Sequence, residues 1–210
     1  MADTGAAHDW DDVYAAGSPP PWDIGRPQHA FLRLAAAGAL AGTLLDVGCG
    51  TGEHAILAAR GGARAVGVDL SARAVELARR KAEAAGLTVE FHVLDARRVE
   101  ELGVVFDVVC DSGLFHVFDD DDRARYVAAL AAALRPGGHL NLMCFSERQP
   151  GDWGPRRVTE AELRAAFGRG WRMDALSRDQ FELSLDPGQG VGVPHAEAWL
   201  ADVVRLSPGS

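Results

Sequence analysis

Four aspartates stand at matching positions along this 210-residue chain and are the residues best suited to hold a polar ligand. Asp46, Asp69, Asp95 and Asp111 each come at the end of a short apolar run that predicts a β-strand. Parallel strands bring their carboxyl ends to one edge of a sheet, where open α/β sheets bind ligands. One such aspartate would be equally typical of a helix N-cap, but four in register indicate a ligand cleft.

A glycine-rich turn follows the first strand and opens a helix. Gly48, Gly50 and Gly52 are spaced two apart, and helix-forming residues occupy positions 54–60. Glycine permits the dihedral angles of such a turn and lets a ligand touch the main chain. A dinucleotide site has the spacing G-x-G-x-x-G, whose third glycine falls here on Glu53, and a carboxylate there would repel pyrophosphate. The spacing therefore argues against a dinucleotide.

The segment Asp-x-Gly-x-Gly-x-Gly, residues 46–52, resembles motif I of the class I S-adenosylmethionine (SAM) methyltransferases. The resemblance implies SAM as cofactor, with its amino-acid and ribose parts over the glycine turn and its ribose hydroxyls on the Asp69 carboxylate. It also implies a Rossmann-like α/β fold, a doubly wound seven-stranded sheet of order 3-2-1-4-5-7-6 with the last strand antiparallel. The implied cofactor-binding residues are Trp22, Asp46, Gly48, Gly50, Gly52, Asp69, Leu70, Asp95, Ala96, Asp111 and Ser112.

The proline-rich stretch at residues 18–28 cannot form a regular helix or a central strand. Its part Pro-Trp-Asp-Ile-Gly-Arg-Pro, residues 21–27, resembles a segment of the thiol and halide methyltransferases, which are relatives of the thiopurine methyltransferases. It also resembles actinobacterial methyltransferases that act on heterocyclic small molecules. The resemblance implies a lid, at about residues 8–30, that covers cofactor and acceptor and contains Trp22. The alternative is a linker that packs Trp22 against the core.

His116 is the strongest candidate for a catalytic general base, because it follows the fourth predicted strand on the substrate side. The alternative is a histidine that lines the pocket or caps the next helix. Tyr14 and Tyr126 rank lower, and His92 lies inside a predicted strand. The motif Asn/Asp-Pro-Pro-Tyr/Phe of methyltransferases that act on the amines of bases or on glutamine is replaced here by Asp-Ser-Gly-Leu at residues 111–114. This difference points toward a small-molecule acceptor.

Local signals predict the other elements. Ser71 caps a helix that runs to Ala85, an acidic run at residues 119–122 opens a helix that reaches Leu134, and Thr159 with Glu162 forms a capping box for a helix that ends near Gly168. Further helices are predicted at residues 8–14 (capped by Asp9, ended by Gly17), 28–40 and 99–102. A turn is predicted at 135–138, before a strand at 140–145. Residues 171–177 and 198–206 are predicted to form a closing hairpin, and residues 186–195 a surface loop.

Composition favours a single domain over residues 1–210, since 48% hydrophobic residues suffice for one core. A net charge of -9 argues against a nucleic-acid partner. No leader or membrane-length apolar run is present, so we expect no membrane association. Cys49, Cys110 and Cys144 are odd in number and lack C-x-x-C spacing, which favours a reduced, cytoplasmic location. No cluster has metal-ligand spacing, so no metal is expected, and the protein is expected to be a monomer or homodimer.

These features favour a cytoplasmic SAM-dependent methyltransferase that acts on S, N or O of a small aromatic or heterocyclic molecule. A thiol or halide acceptor is the alternative within the class, although residues 112–116 depart from the plant halide enzymes. A SAM-binding sensor without activity is a second alternative. An NAD-dependent oxidoreductase is a third, and Glu53 argues against it.

Overall fold

A seven-stranded sheet forms the centre of the computed structural model, which describes residues 10–15, 19–184 and 195–207. The strand order is β3-β2-β1-β4-β5-β7-β6, with β7 antiparallel to β5 and β6, as predicted. The strands are β1 (Thr43–Val47), β2 (Arg64–Asp69), β3 (Glu90–Val93), β4 (Phe106–Ser112), β5 (Leu134–Phe145), β6 (Trp171–Glu182) and β7 (His195–Arg205). The carboxyl ends of β1, β2, β3 and β4 meet at one edge, because all four strands run parallel.

Helices cover both faces of this sheet. They are α1 (Trp10–Ala15), α2 (His29–Ala36), α3 (Glu53–Arg60), α4 (Ala72–Ala84), α5 (Asp120–Ala133) and α6 (Glu160–Ala166), with 3₁₀ helices at Ala96–Leu102 and Phe115–Val117. The predicted caps are confirmed: Ser71 accepts from Ala74 N–H, and Thr159 with Glu162 forms the reciprocal capping box. None of these helices has the length and apolar character that crossing a bilayer requires.

Two buried clusters, one on each face, hold the layers together. One contains Leu142, Tyr126 and Leu130 between the sheet and α5. The other contains Phe31, Leu44 and other side chains between the sheet and α2, α3 and α4. Alternate residues of a strand point to opposite faces, so each central strand supplies apolar side chains to both clusters. The two clusters fix the strand ends that carry the candidate site.

Several boundaries differ from the sequence predictions. Helix α2 is shorter than predicted because Gly38 takes a positive φ of 76° and closes the helix. Strand β5 begins at Leu134, so the predicted turn at 135–138 belongs to the strand, where Leu134 pairs with Phe106 before the register shifts. Strands β6 and β7 extend beyond the predicted hairpin. Asp9, Gly17 and the predicted loop, apart from its last residue His195, lie outside the described residues.

Candidate active site

The turn between β1 and α3 is built from three glycines with positive φ angles. Gly48, Gly50 and Gly52 have φ values of 61°, 51° and 87°. A Cβ at Gly52 would lie 2.9 Å from both Ala78 Cβ and Phe91 Cζ, so this glycine allows α3 to pack closely on α4 and β3. Gly52 therefore permits close packing, while Gly48 and Gly50 are partly buried, under Leu114 and Tyr14 respectively.

Asp69, at the end of β2, holds this turn and remains available to a ligand. The N–H of Gly50 donates to Asp69 Oδ2 over 2.8 Å, and the N–H of Ser71 donates to Oδ1 over 2.9 Å. Burial raises the pKa of the Asp69 carboxyl, while these backbone N–H groups oppose that shift. Each carboxylate oxygen has a further lone pair for a hydroxyl group. Next to it, the Leu70 side chain is 49% exposed and offers an apolar contact.

Asp46 and Asp111 are turned away from the edge. Asp46 is 1% exposed and accepts from the N–H of Ala55 over 3.0 Å, which ties β1 to α3. Asp111 is fully buried and accepts from Tyr126 Oη and from the N–H of Leu114, each over 2.8 Å. Burial raises the pKa of Asp46 to about 8 and that of Asp111 to about 6. Their contacts organise the backbone around the cleft, whereas Ser112 is partly exposed at the strand end.

The position of Asp46 predicts a pH-dependent stability. The Asp46 carboxyl has a pKa of about 8 in the folded chain and 3.8 in the unfolded chain. Between these two pH values, the folded chain therefore retains a proton that the unfolded chain has released. Stability from this group therefore falls as pH rises through that window. Asp46→Asn keeps an oxygen for the Ala55 N–H and removes the titration. We expect it to reduce the loss of Tm between about pH 5 and pH 8, measured by calorimetry. Asp121→Asn, an exposed site, is the control and should leave the slope unchanged.

Asp95 and Ala96 lie at the end of β3, next to the cleft. The carboxylate of Asp95 accepts from the backbone N–H of Arg97 over 2.9 Å and from its guanidinium. Arg97 also pairs with Asp122 at the start of α5. Asp95 is thus part of an ion-pair network, and Ala96 is 6% exposed. These contacts hold the 3₁₀ helix that forms one wall of the cleft.

Glu53 does not carry an uncompensated charge. The ammonium group of Lys81 donates to Glu53 Oε1 over 2.6 Å and to Thr51 Oγ1 over 2.7 Å. The Thr51 hydroxyl in turn donates to Asp23 Oδ2 over 2.9 Å. Lys81 neutralises the Glu53 carboxylate, so Glu53 by itself does not exclude a pyrophosphate. Lys81 lies 28 residues away in sequence, so local spacing could not reveal it.

The segment 19–28 is attached to the cofactor side and to the far edge of the sheet. Asp23 reaches the glycine turn through Thr51, as described above. At the other end, the guanidinium of Arg26 forms two hydrogen bonds, of 2.9 and 2.8 Å, with the carboxylate of Glu182 on β6. The N–H of Ser184 donates to the carbonyl of Pro21 over 2.7 Å. Sequence reasoning missed Glu182, since its partner lies 156 residues earlier.

Aromatic side chains of α1 and the segment 19–28 lie over the turn. Trp22 Nε1 donates to Tyr14 Oη over 3.4 Å, and the rings of Trp10 and Trp22 meet edge to face at 6.2 Å. Tyr14 Oη would lie 2.9 Å from a Cβ at Gly50, so α1 covers the cleft directly above the turn. Burial raises the pKa of the Tyr14 hydroxyl.

His116 lies with three aromatic side chains beyond the end of β4. The centroid of its ring is 5.0 Å from that of Phe145 and 6.0 Å from that of Phe181, and Trp153 meets Phe145 edge to face at 6.0 Å. Leu114, in the same loop, faces the glycine turn, because a Cβ at Gly48 would lie 3.2 Å from it. Burial, followed by the charges of Arg123 and Arg157, lowers the pKa of His116 to about 3. This loop therefore joins the turn to a buried aromatic cluster.

Comparison with known proteins identifies the fold and its chemistry. A profile described as a methyltransferase domain matches residues 44–138, from β1 to the start of β5. A 2-heptyl-1-hydroxyquinolin-4(1H)-one methyltransferase of Mycobacteroides abscessus is 35% identical over 161 residues, 75% of this chain and 71% of that protein. This chain belongs to the SAM-dependent methyltransferase family. It is a small-molecule methyltransferase with SAM as its methyl donor.

This methyltransferase is also similar to a probable thiol methyltransferase and to solved structures. A probable thiol methyltransferase of Arabidopsis thaliana is 28% identical over 87% of this chain and 80% of that protein. The structure titled "Conversion of a Disulfide Bond into a Thioacetal Group during Echinomycin Biosynthesis" aligns with a TM-score of 0.84 at 35% identity, over 93% of this chain and 91% of that one. The SAH-bound magnesium protoporphyrin IX methyltransferase of Synechocystis shares the fold, with a TM-score of 0.64 at 22% identity over 84% of this chain and 80% of that one.

The glycine turn has the features that SAM requires. Its main chain, the Asp69 carboxylate and the Leu70 side chain can contact an amino acid, a ribose and an adenine ring respectively. A Cβ at Gly50 would lie 2.9 Å from Tyr14 Oη, so only a glycine fits between the turn and α1. The residues present therefore fit the cofactor, and among the sequence candidates Trp22 and Leu70 are the most exposed.

Proposed function

We propose that this methyltransferase acts on a heteroatom of a planar aromatic heterocycle. The observation that carries the proposal is the buried aromatic cluster of His116, Phe145, Trp153 and Phe181, which the loop after β4 connects to the glycine turn through Leu114. Flat apolar rings favour stacked or edge-on contacts with another ring. Similarity to a hydroxyquinolone methyltransferase over most of the chain supports the same acceptor class.

The residues of the chain contribute binding, alignment and exclusion of water. SAM supplies a methyl group that its sulfonium sulfur already activates for displacement. We assign the amino-acid and ribose ends of SAM to the glycine turn and Asp69, and the acceptor ring to the side of the aromatic cluster. Holding two reactants in line lowers the entropic part of the barrier, and a dry pocket removes the solvation shell of the nucleophile. Asp46 and Asp111 support the turn and the loop from beneath.

We propose that α1 and the segment 19–28, within the lid expected at residues 8–30, close over both ligands. The contacts of Asp23 with Thr51 and of Arg26 with Glu182 link the segment to both sides of the cleft. Trp22 remains 45% exposed, which leaves part of its ring for a ligand. A simple linker would be held at one side of the cleft, whereas this segment is bonded to both sides.

Trp22→Ala tests the lid. Loss of its apolar contact, on the scale of ~1.5–3 kcal/mol for a large side chain, should weaken SAM binding by about tenfold. Hydrogen exchange of residues 19–28 should slow when SAM binds to the original protein and slow less in the variant. Val105→Ala, which trims another exposed apolar side chain, is the control. If Trp22→Ala, Val105→Ala and the original protein bound SAM with equal affinity, Trp22 would not be part of the lid.

A sulfur acceptor is the second candidate. The likeness to the structure from echinomycin biosynthesis, at 35% identity, and to the thiol methyltransferase favours it. Steady-state turnover on matched N-hydroxyquinolones, phenols, azines, thiophenols and alkyl thiols separates the two. We expect the largest kcat/KM for a heterocycle. Preference for alkyl thiols over every aromatic acceptor would favour the second candidate, and tight SAM binding with no turnover would favour a sensor.

We also propose that the protein works in the cytoplasm without nucleic acid, as a monomer or homodimer. Its net charge of -9 opposes phosphate backbones. Cys49, Cys110 and Cys144 are buried and free, which suits a reducing compartment. Size-exclusion chromatography with light scattering, with and without an added oligonucleotide, tests the partners.

A further inference from the structure

One of the two imidazole nitrogens of His116 is already occupied. The backbone N–H of Phe145 donates to Nδ1 over 3.0 Å. A ring nitrogen that accepts a hydrogen bond carries no proton, so in the neutral ring the proton lies on Nε2. His116 therefore presents an N–H group at Nε2, where a general base would need a lone pair.

The Nε2 atom lies beside Gly113 in the loop after β4. A Cβ at Gly113 would lie 3.6 Å from Nε2 and 3.7 Å from Phe181 Cζ, so the glycine keeps a side chain away from this nitrogen. Within the described residues, Nε2 has no hydrogen-bond partner, and it is not one of the fully enclosed unpaired atoms. The ring as a whole is 7% exposed. A donor that lacks a protein partner and keeps some access is suited to a ligand.

The surroundings keep the ring neutral. Arg123 of α5 and Arg157 of the loop after β5 are the charged groups that act on it, and both oppose an imidazolium. The neighbouring rings of Phe145 and Phe181 carry no charge. With its pKa lowered to about 3, mainly by burial, the ring is a poor proton acceptor near neutral pH.

We propose that His116 binds the acceptor through Nε2–H and that the substrates are acidic heterocycles, which reach the site as delocalised anions. The N–H donates to an electron-rich oxygen or nitrogen of the conjugated system. The proton of the N–OH, O–H or S–H group has already passed to water. In the transfer, a lone pair of the anion bonds to the methyl carbon while the carbon–sulfur bond of SAM breaks. The bonding pair stays on sulfur, and both products are neutral at the reacting atoms.

This inference rests on the proposed function and narrows it from heterocycles in general to ionisable ones. It also replaces the general-base hypothesis for His116. A base needs a lone pair on Nε2, whereas a donor needs a proton there, so substitutions of His116 can distinguish the two roles.

Two variants test the donor. His116→Gln retains a side-chain N–H that can reach the Nε2 position, whereas His116→Phe keeps a ring and has no donor. With an N-hydroxyquinolone, kcat/KM should stay within about threefold in His116→Gln and fall roughly ten- to hundredfold in His116→Phe, the scale of a hydrogen bond to a charged group. Equal losses of more than about a hundredfold in both variants would indicate a base and overturn the proposal.

The pH profile supplies a second readout. For a series of acceptors with different acidities, the midpoint of kcat/KM against pH should follow the pKa of each acceptor, in the original protein and in His116→Gln. A midpoint that is the same for all acceptors and disappears in His116→Gln would contradict the proposal.

The tautomer is measurable without any turnover. Long-range ¹H–¹⁵N spectra of the intact protein should show a protonated Nε2 and an unprotonated Nδ1 for His116. A protonated Nδ1 would overturn the donor assignment while leaving the proposed function intact. Methylation confined to alkyl thiols would instead overturn the proposed function, and with it the substrate class, even if Nε2 proved protonated.

Discussion

Gly50→Asp is expected to abolish SAM binding while the protein stays folded. The new Cβ would lie 2.9 Å from Tyr14 Oη, and the new carboxylate would stand beside Asp69, whose Oδ2 accepts from the N–H of residue 50 over 2.8 Å. Like charges at one partly buried site repel, and the side chain fills the space over the turn. We expect affinity to fall by roughly a hundredfold or more, about 3 kcal/mol, by isothermal titration calorimetry.

Gly62→Asp is the matched control for this variant. Gly62 also has a positive φ, 90°, but a Cβ there has nothing within 4 Å. Both substitutions place an aspartate in a left-handed conformation, at a cost of ~1–2 kcal/mol. Thermal melts should therefore show both variants folded, with the larger shift in Gly50→Asp because of Tyr14 and Asp69, and only Gly50→Asp should lose SAM. Normal SAM binding by Gly50→Asp would show that the cofactor does not lie over the turn.

Asp69→Ala is also expected to weaken SAM binding strongly. It removes the acceptor for the N–H groups of Gly50 and Ser71 and the carboxylate that we assign to the ribose hydroxyls. A hydrogen bond to a charged group contributes ~1.5–3 kcal/mol, so loss of the carboxylate should weaken SAM binding by roughly a hundredfold. Asp69→Asn retains one acceptor oxygen and should weaken it by about tenfold.

The affinity for adenine separates two causes of this loss, which are a changed backbone of the turn and a missing contact with the ribose. Circular dichroism establishes that each Asp69 variant is folded. Adenine alone, which has no ribose, should bind equally to the original protein and to Asp69→Asn. If Asp69→Ala bound SAM normally, the carboxylate would serve the backbone of the turn alone.

The sequence predicted the sheet order, the glycine turn and the helix caps, because each depends on nearby residues or on a family resemblance. Ser71 and Thr159 illustrate the local case, since a cap needs only three or four neighbours. The four strand-end aspartates were also predicted, but their side chains do not have equivalent surroundings in the structure. Asp69 keeps an open side, whereas Asp46 and Asp111 point into the protein toward backbone N–H groups.

Contacts between distant residues account for what was missed. Lys81 neutralises Glu53, Glu182 holds Arg26, and the N–H of Phe145 sets the orientation of His116. Each pair is brought together by the sheet and its crossovers, and no local spacing reveals it. The direction of the Phe145 N–H changes the interpretation of His116 from base to donor.

The position of a transferred ¹³C label identifies the acceptor atom of this methyltransferase. The protein is incubated with SAM carrying a ¹³C methyl group and equal concentrations of 1-hydroxyquinolin-4(1H)-one and an alkyl thiol, and NMR locates the label. We expect ¹³C on the heteroatom of the quinolone, with little on the thiol and none after Gly50→Asp. Label found only on the thiol, with the quinolone untouched, would contradict the account.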